Sequence, residues 1–465
     1  VADQPHVCLI VDSPLRDLEG LVLLARQLAT RGARATLVPM YEQGFDVPAL
    51  RPDLVLANYT RPNNADLIKS YKSAGILVGI LDTEGIGGKN ADQFAKMVKS
   101  AGRPDLVDLY CVWGASQYAA FLRQGTIAPD LLHATGCPRY DFCAPPWRAA
   151  LPKPSVDSGY VLINTNFPTV NPRFSGNSSH EEESMVKAGF SREFARQFIA
   201  DGGHAYRSTL DMAIKLAKHF ADVQFVLRPH PFEKISSYDS FAALPNAKVI
   251  QSGTSLEWIS GARLLVHQNC STAIEATMLN VEPLSMEWFN TPALRLDAAT
   301  RVSRGAAGEA EMLELVGQGL EDSMPPLPSE IGLSRREIVS ELYTAVDGAS
   351  SARVSEVVLA TIAAARHGGS KAHASPSPSL RGLVAGAVRR TLGHKASSLL
   401  RRTYSSVESE RRRAGKVFDA GTVNAILQRI DQASVDHRRF VAQPAANIRM
   451  RRMMSGASLQ LAEAN

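Results

Sequence analysis

Short, largely apolar runs alternating with longer amphipathic stretches constrain this chain more than any other feature. The runs 7–11, 35–39, 54–57, 76–81 and 109–113 are each followed by helical or loop sequence. Over 17–31 the residues Leu18, Leu21, Val22, Ala25 and Leu28 share one helical face, and Gly32 stands just past the end. Strands apolar on both faces and separated by helices predict a parallel sheet covered on both sides. The pattern pauses where Pro145, Pro146, Pro152 and Pro154 crowd together, then restarts. A second series contains strands at 160–164, 224–227, 248–250 and 263–267 and a helix at 206–220.

The expected fold class is therefore α/β. Two Rossmann-like domains, 1–150 and 151–347, are expected to face each other across a cleft. A mainly helical, basic C-terminal extension, 348–465, follows them, with a helix at 349–366 and a linker rich in Ser, Pro and Gly at 368–379. A length of 465 residues suits two domains and an extension.

With 45% hydrophobic and 21% charged residues the chain can bury a large core. It has no run of about eighteen apolar residues, and 7–11 is too short for the core of a signal peptide, so a cytoplasmic location is expected. Cys8, Cys111, Cys137, Cys143 and Cys270 are scattered without metal-ligand spacing and are read as reduced thiols. His180 to Glu183 is read as a solvated loop rather than a metal site. The net charge of +5 is concentrated in 381–416, where Arg389, Arg390, Lys395, Arg401, Arg402 and Arg411 to Arg413 face only Glu408 and Glu410. Leu383, Val384, Val388 and Leu392 recur there at helical spacing. That pattern fits a helix peripheral to an anionic membrane surface, and equally a solvated or protein-docking helix. Sparse aromatic residues argue against a nucleic-acid partner. No G-x-G-x-x-G follows the first strand and no G-x-x-x-x-G-K-[ST] occurs, which excludes the usual dinucleotide and P-loop sites.

In open parallel sheets ligands bind at the carboxyl ends of strands, so polar residues directly after an apolar run are the candidates. Arg228-Pro229-His230-Pro231 ends one strand, and its two prolines hold Arg228 and His230 in stiff, extended backbone suited to a phosphate. A second segment runs from His267 through Ser271 and Thr272 to Glu275. Thr272 and Glu275 have capping-box spacing, and the helix start offers an anion site. The third is Asp82-Thr83-Glu84-Gly85, in which either carboxylate could serve as a general base, or the segment could serve turn chemistry alone. Gly136 and Arg139 before the linker, Asn164 and Asn166 after the first strand of the second series, and Arg16 in the first strand-to-helix turn complete the candidates. Arg16 is placed on the acceptor side, facing an anionic acceptor.

These segments, together with 14–20 and Trp113-Gly114, resemble the bacterial surface carbohydrate biosynthesis proteins related to capsule and lipopolysaccharide glycosyltransferases. They are also similar to the motif triad of bacterial sialyltransferases and polysialyltransferases: an acidic pair before glycine, a His-Pro and a paired Ser/Thr. The resemblance implies a GT-B type glycosyltransferase that moves a Kdo-like or sialic-acid-like sugar from a CMP-activated donor to a glycan or lipid-linked acceptor. It makes Glu84 or Asp82 the base and His230 the partner of the leaving phosphate. Arg228, Pro231, His267, Ser271, Thr272, Glu275, Asn164, Asn166, Gly136 and Arg139 join His230 in the donor site. No metal or other cofactor is expected. Thr83 stands where the family pattern has the first carboxylate of the pair. A nucleotide-sugar epimerase, a CDP-polyol phosphotransferase of the same fold, or a catalytically degenerate scaffold subunit are the alternatives.

Overall fold

The computed structural model describes residues 4–83, 91–173, 178–187, 190–368, 415–445 and 454–464. It divides into two units, one formed by Val1–Ala150 with Ser340–Asn465 and the other by Leu151–Val339.

The first unit is built on strands β1 (His6–Val11), β2 (Arg34–Pro39), β3 (Leu54–Ala57), β4 (Leu77–Leu81), β5 (Leu109–Val112) and β6 (Leu132–Ala134). All six run parallel in the order β2-β1-β3-β4-β5-β6. Every residue of β1 is buried, as its unbroken apolar run requires. One face packs Ile10, Val55, Val78, Ile80 and Tyr110 against the helix residues Ile68, Phe94 and Phe121. The helix Pro14–Thr30 starts three residues before the expected 17–31, because Pro14, fixed near helical φ and lacking a donor, occupies its first turn. Gly20 on that helix lets it ride directly on the 138–139 backbone. A Cβ there would lie 2.6 Å from the Arg139 nitrogen.

The C-terminal region differs from the separate extension expected over 348–465, since its described parts complete the first unit. The helix Ser350–Arg366 begins on Asp141, whose carboxylate accepts the N–H groups of Ser350 at 2.8 Å and Ser351 at 2.7 Å. Gly136, with φ +81°, passes so close that a Cβ would sit 2.4 Å from the Ser350 hydroxyl. The helix Ala420–Ala433 buries Val423, Ile426, Leu427 and Ile430. Strands β13 (Phe440–Pro444) and β14 (Leu459–Glu463) then add an antiparallel pair beside β2, so the first sheet has eight strands and is not wholly parallel. Composition alone drew attention to the basic stretch and away from these amphipathic flanks. Of the membrane-surface candidate 381–416, only its last two residues fall within the described residues; the rest lies outside them. Lys416 pairs with Asp12 at 2.6 Å. Among the described residues no helix is long and apolar enough to cross a membrane.

The second unit contains β7 (Tyr160–Asn164), β8 (Phe225–Arg228), β9 (Ala247–Val249), β10 (Ala262–His267), β11 (Glu282–Met286) and β12 (Arg304–Ala306). They form one parallel sheet in the order β12-β11-β10-β7-β8-β9. Its core joins Val161, Ile163, Phe225, Leu227, Val266 and Leu284 to Met212, Leu216, Met312 and Val316 from flanking helices. The helix expected over 206–220 extends over Arg192–His219, capped by the Ser191 hydroxyl on the Phe194 N–H at 3.1 Å. Gly202 and Gly203 do not interrupt it, and Gly202 admits Val170. The loop expected at His180 to Glu183 belongs to the helix Ser178–Lys187, where Glu182 pairs with Arg192 and Arg196.

Arg26 binds the C-terminal region to the helix Pro14–Thr30. Its guanidinium is 1% exposed and donates to Asp431 at 2.7 Å, to Asp436 at 2.5 Å and to the Arg438 carbonyl at 3.0 Å. Removing Arg26 leaves the buried Asp431 carboxylate, 8% exposed, without its counter-charge, while Asp436, 32% exposed, keeps access to water. Arg26→Met is expected to lower unfolding stability by about 3 kcal/mol in chemical denaturation. An unchanged midpoint would show that the cluster contributes nothing net.

Candidate functional site

In each sheet the chain leaves its first strand towards one edge and later returns to build towards the other. This leaves a crevice where neighbouring strand ends diverge, between β1 and β3 in the first unit and between β7 and β10 in the second. Polar residues stand at both places.

In the second unit the ends of β10, β7 and β8 lie side by side, with His267 paired in register to Asn164 and Asn164 to Arg228. Arg228 is 8% exposed and donates to the Gly253 carbonyl at 2.5 Å, while its Nε has no partner among the described residues. Burial pulls its guanidinium below the ordinary arginine range. Glu275 and Glu257 favour the charge from a distance, but neither forms an ion pair with it. A buried cation held this way favours an incoming anion. Beside it Asn164 donates through Nδ2 to the Thr272 hydroxyl at 2.9 Å and leaves its Oδ1 unbonded and buried. Asn166 is exposed and reaches the Asn269 carbonyl at 3.3 Å.

The stiff His230 loop has a buried anchor that the sequence reading missed. Glu233 is 0% exposed and accepts the Thr165 hydroxyl at 2.9 Å, the Phe167 N–H at 3.0 Å, the His230 N–H at 3.0 Å and the Tyr238 hydroxyl. One carboxylate thus fixes the loop after β7 against the loop after β8. Burial raises its pKa, and these donors oppose the rise. The available signal was an acidic residue two places beyond Pro231. The half-buried His230 ring accepts the Phe232 N–H on Nδ1 at 3.2 Å, which leaves Nε2 to carry the proton of the neutral ring. Pro231 is half-buried in the same loop.

Three expectations about this segment change. His267 is not available to a phosphate: it is 0% exposed, accepts the Cys270 N–H on Nδ1 at 3.3 Å and meets the Ser303 hydroxyl through Nε2 at 2.8 Å. Burial lowers its pKa to about 3, so it stays neutral and structural. The helix Thr272–Met278 has Ser271 at its cap position but no side-chain cap bond, so the expected capping box does not form. Thr272 instead donates to the Cys270 sulfur at 3.1 Å and accepts from Asn164. Glu275 is buried on this two-turn helix, too short to supply a strong anion site by its own dipole.

In the first unit Asp82 directly follows β4 and is 2% exposed, with Tyr110 donating to its carboxylate at 3.3 Å and Trp113 to its carbonyl at 2.6 Å. Glu84 lies outside the described residues. A small pocket opens at the β1/β3 crevice, bounded by Ile10, Gly20, Leu56, Asn58, Asp82, Thr83 and Arg139. The Arg139 guanidinium lies over the rings of Tyr140 at 4.6 Å and Trp113 at 5.5 Å. Gly136 serves the approach of the helix Ser350–Arg366, described above, rather than a phosphate. Arg16, expected to face an anionic acceptor, is already neutralised by Asp12 and Asp17, both at 2.8 Å. All five cysteines are buried, and none is in a disulfide.

No family model and no curated protein matches the sequence. Among solved structures the chain is similar to the wall teichoic acid polymerase TagF, in a structure soaked with CDPG. That match has 10% identity and a TM-score of 0.50, and covers 78% of this chain and 90% of that one. It is also similar to the UDP-GlcNAc 2-epimerase of Methanocaldococcus jannaschii in complex with UDP-GlcNAc and UDP, with 11% identity, 76% and 99% coverage and a TM-score of 0.45. The Neisseria meningitidis UDP-GlcNAc 2-epimerase bound to UDP-GlcNAc gives 13% identity, 77% and 100% coverage and a TM-score of 0.44. The likeness to the polymerase is one of fold, the GT-B class with its two parallel-sheet α/β domains.

Unfolded histidine titrates near pH 6.5, whereas folded His267 and His6 are both held down to about 3. For His6 burial acts first and the Arg34 charge second. Below pH 6.5 the unfolded chain therefore binds protons that the folded chain refuses, and stability falls as pH falls. Between pH 5 and 6.5, above most carboxylate titrations, each of the two contributes a slope of up to about 1.4 kcal/mol per pH unit. Denaturation midpoints across that window should show this slope, reduced by one proton in His267→Asn. Equal slopes in both proteins would mean that His267 titrates normally.

Proposed function

We propose that the chain is a glycosyltransferase of bacterial surface-glycan assembly whose nucleotide-activated donor binds at the β7/β10 crevice of the second unit. The observation that carries this reading is Arg228, a buried guanidinium without an ion pair at a strand end where α/β sheets bind ligands. Leaving such a charge in the interior is unfavourable unless an anion completes it. A donor phosphate does so, and Asn164 Oδ1 is free to accept a hydroxyl.

Transfer from a sugar nucleotide breaks the bond between the anomeric carbon and a phosphate oxygen, and negative charge grows on the phosphate. Arg228 neutralises part of that charge, and His230, its Nε2 proton fixed by the Phe232 contact, donates a hydrogen bond to the departing oxygen. Asp82, or Glu84, removes the proton of the attacking hydroxyl. This chemistry requires no metal. The resemblance of the motifs favours a CMP-linked acidic sugar as donor and a glycan or lipid-linked acceptor. A CDP-linked polyol phosphate is the second reading, favoured by the fold shared with the teichoic acid polymerase whose structure was soaked with CDPG.

Calorimetric titration of the full chain with CMP, CDP and UDP separates these readings. CMP is expected to bind at least about tenfold tighter than UDP, a difference of about 1.4 kcal/mol. Arg228→Met and His230→Ala should each weaken it by about tenfold or more. Arg228→Met should also leave the melting temperature unchanged or raised, because it removes an unpaired buried charge. Preference for CDP would favour polyol-phosphate transfer. Preference for UDP, or affinity indifferent to Arg228, would contradict the cytidine assignment.

A further inference from the structure

The first unit carries a polar defect that its own structure does not explain. Asn58 directly follows β3, at the crevice between β1 and β3, and is 2% exposed. Among the described residues neither its amide nitrogen nor its amide oxygen has a hydrogen-bond partner. The Thr83 hydroxyl, across the same pocket, is also unbonded, although the two residues are joined through the Thr83 N–H and the Asn58 carbonyl at 3.1 Å. Buried amides without partners are rare, and each destabilises the fold unless something completes it.

The unbonded groups define what completes them. Asn58 presents an NH2 group that donates and a carbonyl oxygen that accepts, and Thr83 can act as either. An anion would meet the Arg139 guanidinium but also two carboxylates, Asp82 and Asp17, which border the same pocket and outweigh that single positive charge. A cation would leave the Asn58 nitrogen unbonded. A hydroxyl both donates and accepts, so a single hydroxyl, which a pocket of about 20 Å³ can hold, is able to pair with Asn58 and Thr83. Ile10, Leu56 and Leu81 give the pocket an apolar side that suits the carbon bearing such a hydroxyl. The cation expected to draw an acidic acceptor, Arg16, is taken up by Asp12 and Asp17.

We propose that this pocket binds the neutral, hydroxyl-bearing end of a sugar or polyol, with Asn58 and Thr83 as its hydrogen-bonding residues. The inference deepens the transferase reading and rests on it for one point only, that the bound group is the acceptor and that Asp82 faces its hydroxyl. Selection is then for an uncharged terminus on this side, whatever the charge of the donor sugar.

Saturation-transfer NMR on the full chain, with glycerol and methyl glucoside as probes, tests the site, and thermal denaturation of the same samples tests its origin. Wild-type protein should bind at least one probe. Asn58→Leu, close in size and without polar atoms, should weaken that binding about tenfold or more while holding or raising the melting temperature. Thr83→Val, at a less buried position, should weaken binding severalfold without loss of stability, which is a second, independent test of the site. Three results would overturn the proposal: no probe bound by the wild type, unchanged binding in the variants, or a melting temperature several degrees lower in Asn58→Leu. The last would mean that Asn58 is completed internally by ordered water. The nucleotide titration reports on Arg228 in the other unit, so its failure would remove the acceptor role and leave the pocket's binding result standing.

Discussion

In each unit a parallel sheet grows from its first strand in both directions, and this constraint governs where chemistry can occur. Connections on either side of β1 and β7 leave over opposite faces, so the carboxyl ends of β1 and β3, and of β7 and β10, are the places not covered by a crossing helix. Asn58 stands at the first and Asn164 at the second, each with an amide atom that has no hydrogen-bond partner among the described residues. The pairing of polar defects with switch points is the physical basis for reading both as binding sites.

These defects also describe a balance between stability and function. The interior tolerates an unpaired guanidinium at Arg228 because Glu233 and its four donors hold the surrounding loops, and because the flanking cores are continuous and apolar. His267 is the contrasting case. It stands in the same register row but has both ring nitrogens engaged, so it stabilises the turn after β10 and faces no ligand. Proximity to a strand end is therefore not enough to make a residue functional. What separates Arg228 from His267 is whether the protein has already met its hydrogen-bonding capacity.

That distinction sets the limit of what the sequence reveals. Unbroken apolar runs made the two parallel sheets legible, and strand ends such as Arg228 and Asn164 followed from them. The joining of β14 to β2 was not legible, because it depends on contacts over four hundred residues apart, among them Asp46 receiving the hydroxyls of Ser455 and Ser458. Glu233 escaped notice because its importance lies in four partners drawn from two loops. Asn58 escaped because an absent hydrogen bond has no sequence signature. Conversely, Arg16, Gly136 and His267 looked functional by position, and tertiary contacts with Asp12, Ser350 and Ser303 account for each of them.

The central claim is that Arg228 lies buried and unpaired so as to receive a nucleotide phosphate. A crystal structure of the full chain grown with CMP tests it most directly. The account predicts a phosphate within hydrogen-bonding distance of the Arg228 guanidinium at the ends of β7 and β8, with His230 Nε2 directed towards it. A nucleotide bound elsewhere, or Arg228 still bonded only to the Gly253 carbonyl beside a bound nucleotide, would contradict it.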